Sequence, residues 1–340
     1  MRLNSIQFCG LIALSAFALH GQSTIFPPTN GPMYWATTEP TCSALNDGET
    51  ATQISNGGWV CTASGTFVWF ASGGPSGNSW STSILLSAPA SNPIGVDYEF
   101  YDLSGNNLSM DTTVNGGAVN STNEVDFALA ANQPSVLNVL GATSDASTGY
   151  STLTDGTVYV QIYCPDEPTC ENALPQLIYS ALPTYPWSLS VPIGWYADAS
   201  NVWSAVGINN GSTQVMSMAI CNYGSAAAAF NVYVYDSSGS LVGSGTTPSI
   251  PGTQSTTYEC GTNAFLLSSI VSNLPNGPMK VLVDGGTNPS YVEMLQINGS
   301  SATTLQVAFD TAPSSGTAGA LRRQAHPHAH NLKVFPPLPR

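Results

Sequence analysis

Cations are nearly missing from this chain. Of 340 residues, six are Lys or Arg against 20 Asp or Glu, a net charge of −14, and Lys280 is the one Lys or Arg between Glu39 and Asp310, the span that holds every carboxylate. A body this anionic repels phosphate backbones, which argues against nucleic acid as a partner, and it repels anionic lipid surfaces as well. Histidine is missing too. None stands between Gly21 and Ala325, so Ser-His-Asp or Cys-His catalysis would have to borrow His326, His328 or His330 from the end of the chain. Charged residues of all kinds make up only 8% of the sequence, which leaves Ser, Thr, Asn and Gly to keep it soluble, the habit of a secreted β protein rather than a helical cytosolic one. Apart from Phe8 to Leu19 no long apolar run occurs, and that one is too short to span a bilayer comfortably.

The apolar run follows Arg2 and ends near Ala16-Phe17-Ala18, with Gly21 a second candidate end, so residues 1–21 read as a signal peptide and the mature chain as secreted, extracellular or at the cell surface. No segment of that mature chain reads as a membrane span. Its removal takes Cys9 away and leaves six cysteines in an oxidising compartment. They fall into sequence-local pairs, Cys42 with Cys61, Cys164 with Cys170 and Cys221 with Cys260, one of fifteen pairings that six cysteines allow. A zinc site fits poorly, because the spacing is wrong and no His stands near any of the six.

One stretch occurs twice. Val96 to Leu108 and Phe230 to Val242 each read as a strand, a tight turn and the start of a second strand. Val96, Tyr98 and Phe100 alternate with Asp97, Glu99 and Tyr101, and Phe230, Val232 and Val234 repeat the pattern, so one face is expected buried and the other wet. The turns fall on Asp102-Leu103-Ser104-Gly105 and Asp236-Ser237-Ser238-Gly239, where Asp caps its own turn and Gly takes a positive-φ position. Ser81 to Ser87 matches Val215 to Cys221 at the same offset of 134 positions; Gly156 to Ile162 then matches Gly277 to Val283 at 121, so the second copy has a shorter middle. Asn263 to Leu274, within that middle, is expected to form a short helix ended by Pro275.

Strands at this spacing, with turn residues between them, make a sandwich and not βαβ units. The expected organisation is a signal peptide (1–21), a Cys-stapled N-terminal subregion packed on the first sandwich (22–80), a first β-sandwich (81–194), a connection (195–212), a second β-sandwich (213–310) and a disordered basic, His- and Pro-rich tail (311–340).

Thr66 to Gly74, Trp80 to Leu86 and the Phe100-Tyr101-Asp102-x-Ser104-Gly105-Asn106 turn, with a second copy at Asn222-Tyr223-Gly224-Ser225 and Tyr235 to Gly239, together resemble a large group of secreted bacterial proteins, common in acidobacteria, built from tandem immunoglobulin-like sandwiches. The resemblance covers residues 64–310 and implies an all-β fold and an extracellular setting. It carries no activity.

The chemistry left to such a chain is carboxylate chemistry. Two Asp or Glu suffice for a glycosidase or an acid protease, yet no Asp-Thr-Gly or Asp-Ser-Gly motif occurs. Asp166, Glu167 and Glu171 crowd the Cys164–Cys170 loop and are either weak candidate calcium ligands or a solvated acidic loop. Trp195, Tyr196 and Trp203 lie near the connection, where they either stack on sugar rings or seal the contact between sandwiches. No catalytic residue and no cofactor is assigned. The expectation is a non-catalytic structural, adhesive or surface-assembly module, its partner an extracellular protein or polysaccharide. The alternatives are a carbohydrate-binding protein and a carboxylate hydrolase.

Overall fold

The computed structural model describes residues 32–42, 51–54, 57–75, 79–181, 185–195, 199–211, 214–253, 260–298 and 301–310. The signal-peptide and tail readings, and Tyr196, fall outside them. The strands, in chain order, are β1 (Thr52–Gln53), β2 (Trp59–Ser72), β3 (Ser81–Ser87), β4 (Ile94–Asp102), β5 (Met110–Val114), β6 (Val119–Thr122), β7 (Glu124–Leu129), β8 (Pro134–Ala142), β9 (Thr154–Cys164), β10 (Gln176–Ala181), β11 (Tyr185–Pro192) and β12 (Gly194–Trp195), then β13 (Val202–Asn209), β14 (Gln214–Asn222), β15 (Asn231–Asp236), β16 (Leu241–Thr246), β17 (Gly261–Leu266), β18 (Gly277–Asp284), β19 (Ser290–Asn298), β20 (Ser301–Leu305) and β21 (Ala308–Phe309).

They form four sheets, and every pairing between named strands is antiparallel. The first sandwich faces β1-β2-β9-β4-β7, with β12 added beside β2, against β11-β10-β3-β8-β5-β6; the second faces β16-β15-β18-β13-β21 against β17-β14-β19-β20. Its pairings reproduce those of the first, with β13, β18 and β15 standing for β2, β9 and β4, and β20, β19, β14 and β17 for β11, β10, β3 and β8. In an immunoglobulin constant domain the strand that follows F stays beside F. Here β10, which follows β9, crosses to lie beside β3, and β2 takes the place next to β9, so the flanking strands are exchanged relative to that arrangement.

The repeated turns agree in their backbone bonds. Asp102 Oδ1 accepts from the Ser104 and Asn106 amides at 2.8 and 2.9 Å, and Asp236 Oδ1 from the Ser238 and Ser240 amides at 2.8 and 3.0 Å. Gly105 and Gly239 sit at φ 80° and 81°, a conformation that a Cβ would strain.

The cores differ in filling. Phe67, Phe70, Tyr98, Phe100 and Phe127 dominate the first, while Met216, Met218, Met279 and Met294 with Val232, Val234, Val281 and Val283 make up half of the second, beside Phe230 and Trp203. The three disulfides join the expected pairs, with Cα separations of 5.5, 5.5 and 5.4 Å. Such bonds fit an oxidising compartment. No helix among the described residues is long and apolar enough to cross a membrane.

Three expectations need correction. The boundary at residue 80 cuts through the first sandwich, because β2 lies between β1 and β9 in its sheet and supplies Phe67 and Phe70 to its core. The helix expected from Asn263 is a strand as far as Leu266, followed by one turn at Leu267–Ile270, since pairing with β14 and the Cys221–Cys260 bond hold the segment extended. The outer face of β4 is not uniformly wet: Asp97 and Tyr101 are each 2% exposed, and the segment at Tyr34 packs on Val60, Ala128 and Tyr163 of the same face.

The sandwiches touch through the outer face of the β17-β14-β19-β20 sheet. Val68 meets Ala219, Cys221 and Cys260, and Leu295 and Ala302 reach the first core. The Thr262 hydroxyl donates to the Val68 carbonyl at 2.7 Å and its amide to the Leu103 carbonyl at 3.1 Å. The Thr304 hydroxyl donates to the Ser190 carbonyl at 2.8 Å. Gly194, where the chain leaves the first sandwich, lies so close to the Tyr291 ring that a Cβ would stand 2.5 Å from it.

Candidate carboxylate site on the first sandwich

The described acids of the Cys164–Cys170 loop and Trp203 are each engaged in local contacts. Asp166 caps a one-turn helix, Glu167–Glu171: its Oδ1 accepts from the Thr169 amide at 2.9 Å and its Oδ2 from Asn92 Nδ2 at 3.0 Å. This carboxylate is a helix cap that ties down the Cys164–Cys170 loop, and Glu167 and Glu171 do not join it in a group with metal-ligand spacing. Trp203 is 3% exposed; its Nε1 donates to the Ser290 and Ser200 carbonyls at 3.0 and 3.2 Å, and its ring packs on Tyr291 and Phe309. It offers no face to a sugar. The side chains of Trp195 and Tyr196 lie outside the described residues.

A different carboxylate group emerges from register. Along β4 and β7 Asp97 stands directly opposite Asp126, and Glu99 directly opposite Glu124. One oxygen from each of Asp97, Glu99 and Glu124 lies within 4.8 Å of the others, the one such group of three among the described residues. Like charges placed opposite one another across an antiparallel pair repel. Lys280, the one Lys or Arg among the described residues, is in the second sandwich and pairs with Asp310 at 2.5 Å.

Tyrosines and an amide border the block. The Tyr101 hydroxyl donates to Glu99 Oε2. Gln161, opposite Asp97 on β9, has its Oε1 held by the Tyr163 hydroxyl at 2.6 Å. Burial first, then the charges of Asp97 and Glu99, push the Tyr163 hydroxyl well above its ordinary range. Burial also raises Asp126. Asp97 is buried while Glu99 and Glu124 are half-buried, so the group opens toward the β7 edge. Carboxylates this close favour either a shared proton or a hard cation with oxygen ligands.

The second sandwich acts as an internal control. At the offset of 134, Asn231 stands for Asp97 and Tyr233 for Glu99; their partners on β16 are Thr246 and Ser244. The Thr246 hydroxyl donates to Asn231 Oδ1 at 3.2 Å. The same sheet therefore forms with neutral side chains at these places, and the fold does not require the acids.

A second acidic feature is a groove of about 360 Å³ lined by Asp102, Leu108, Asp145, Thr152, Leu153 and Asp155, with Ala142, Ser144 and Thr154. Its acids are engaged. Asp102 holds its own turn, Asp145 accepts from the Thr148 hydroxyl and from the Thr152 amide at 2.7 Å, and Asp155 accepts from the Trp69 indole at 3.3 Å. Comparison of the chain with protein-family models, curated proteins and solved structures finds no match.

Proposed function

We propose that this is a secreted, non-catalytic extracellular protein, a structural, adhesive or surface-assembly module of tandem immunoglobulin-like sandwiches. The observation that carries the reading is the joint between the sandwiches. Hydrogen bonds from Thr262 and Thr304, an apolar seam at Val68 and a glycine set against an aromatic ring make one stiff body of two disulfide-braced units. Stiffness of this kind serves spacing and attachment. The signal-peptide pattern of residues 1–21 and the disulfides support an extracellular setting. Incubating the purified mature protein with glycan and peptide libraries tests it: no turnover is expected, and hydrolysis of any member would overturn it.

A second reading, a carboxylate hydrolase, draws on one observation, the closeness of Asp97, Glu99 and Glu124 on the sandwich that has them and not on its twin. Were turnover found, Glu99→Gln and Glu124→Gln would each have to abolish it. Turnover that survived both would place the chemistry elsewhere. Carbohydrate binding through Trp203 has no geometric support, because that ring is enclosed.

A further inference from the structure

Glu293 is a carboxylate in the wrong surroundings. It lies on β19, opposite Ala219 of β14, on the face that meets the first sandwich, and it is 6% exposed. Its neighbours on that face of β19 are Tyr291 and Leu295, both packed at the joint. We propose that Glu293 gates the joint between the two sandwiches: they stay packed while its carboxyl is a neutral acid and loosen as it ionises.

The described groups around it offer no charge of opposite sign. From β10 of the first sandwich it faces Tyr179, whose hydroxyl donates to the Trp69 carbonyl. From β2 it meets the seam at Val68 and Trp69, which holds no titratable group beyond Asp155, hydrogen-bonded to the Trp69 indole. On β14, Cys221 is in a disulfide, and Tyr291 is on its own strand. No Lys, Arg or His occurs in residues 21–279, and Lys280 projects from the far sheet of the second sandwich, where it pairs with Asp310. Among the described residues an ionised Glu293 would thus be a buried charge without a counter-charge, a state proteins avoid by keeping the proton or exposing the group.

Burial accordingly raises its carboxyl from an ordinary 4.5 to about 8. The pH window follows from linkage. Below about 4.5 both the closed and the open joint hold the proton, and the joint has its full stability. Between there and about 8 the open state gives up its proton first, so the closed-to-open ratio falls by up to about tenfold per pH unit. Above that both states are ionised and the loss levels off. Acid conditions hold the joint closed, each pH unit above about 4.5 loosens it, and the loosening is complete by about 8.

The test is amide hydrogen exchange, corrected for the intrinsic pH dependence, on the whole mature protein. The Thr262 amide reports the joint, because its bond to Leu103 crosses it; the Val160 amide reports the first core. Opening at Thr262 is expected to rise by up to about tenfold per unit from pH 5 to 8 while Val160 stays constant, and Glu293→Gln should flatten the Thr262 profile. An unchanged slope in Glu293→Gln, or parallel rises at Thr262 and Val160, would overturn the gate. If Glu293→Gln does not fold, the contrast between Thr262 and Val160 in the unaltered protein decides alone.

Discussion

The first sandwich is the heavier of the pair in every sense. Its core is aromatic, its sheets have more strands, and the outer face of its β4 is largely covered; the second is filled by methionine and valine, and its equivalent face leaves Val206 66% and Ile208 44% exposed. The turns and strand pairings are nonetheless the same. Backbone pairing and turn chemistry therefore hold this architecture steady, and side-chain filling is free to drift as long as each core closes.

Substitution at one shared position gives the largest contrast. Phe100 and Val234 occupy equivalent places, and Phe100 packs edge-on against Phe70. Phe100→Ala should cost about 3–5 kcal/mol and Val234→Ala about 2 kcal/mol in denaturant unfolding. Equal losses would mean that the two cores are not independently packed. Next comes the disulfide comparison. Replacing Cys221 and Cys260 by Ser opens a loop of separation 39, worth about 4 kcal/mol in the chain-entropy model, whereas the Cys164–Cys170 loop of separation 6 is worth about 2 kcal/mol. Paired melting curves of the two double variants check the order.

The carboxylate block should show a smaller effect of opposite sign. Glu99→Gln with Glu124→Gln removes repulsion between directly opposed acids and should stabilise the first sandwich by up to about 1 kcal/mol at neutral pH, and added calcium should raise the melting temperature of the unaltered protein only. Asp126 and Asp236 sharpen the point through pH. Burial raises Asp126, so its favourable contribution is present at low pH and fades as pH climbs through its folded value. The Ser238 hydroxyl and the turn amides lower Asp236, so its contribution is present above the ordinary carboxylate range and fades as pH falls through its folded value. Acidification should thus tighten the β7 strand at Asp126 and loosen the turn at Asp236, measurable as opposite pH slopes of amide exchange at these two places. Smallest of all, Asp102→Ala and Asp236→Ala should lower the melting temperature by similar amounts, because both remove the same pair of turn amide bonds and differ only in one side-chain donor, Asn106 Nδ2 against the Ser238 hydroxyl.

Local chemistry was legible in the sequence. Asp-x-Ser-Gly dictates its turn from four residues, the alternation of Val96, Tyr98 and Phe100 names the core face, and cysteines close in sequence found one another. What went unread depends on distant partners. Trp59 to Ser72 looked peripheral because a sequence does not show that β9 will pair along its whole length. Asn263 carries a capping residue type, yet tertiary pairing with β14 overrides that local preference. Glu99 and Glu124 were each visible as acids; only the β4–β7 register makes them neighbours, and a spacing of 25 residues holds no hint of it. Glu293 was hidden for the same reason, since the sandwich that buries it ends a hundred residues earlier in the chain.

Gly194 gives the molecule its hydrodynamics. With no side chain at Gly194, the Tyr291 ring of the second sandwich closes directly onto the backbone of the first. Both halves should then tumble with a single rotational correlation time, and even one added methyl at that place should let them turn separately.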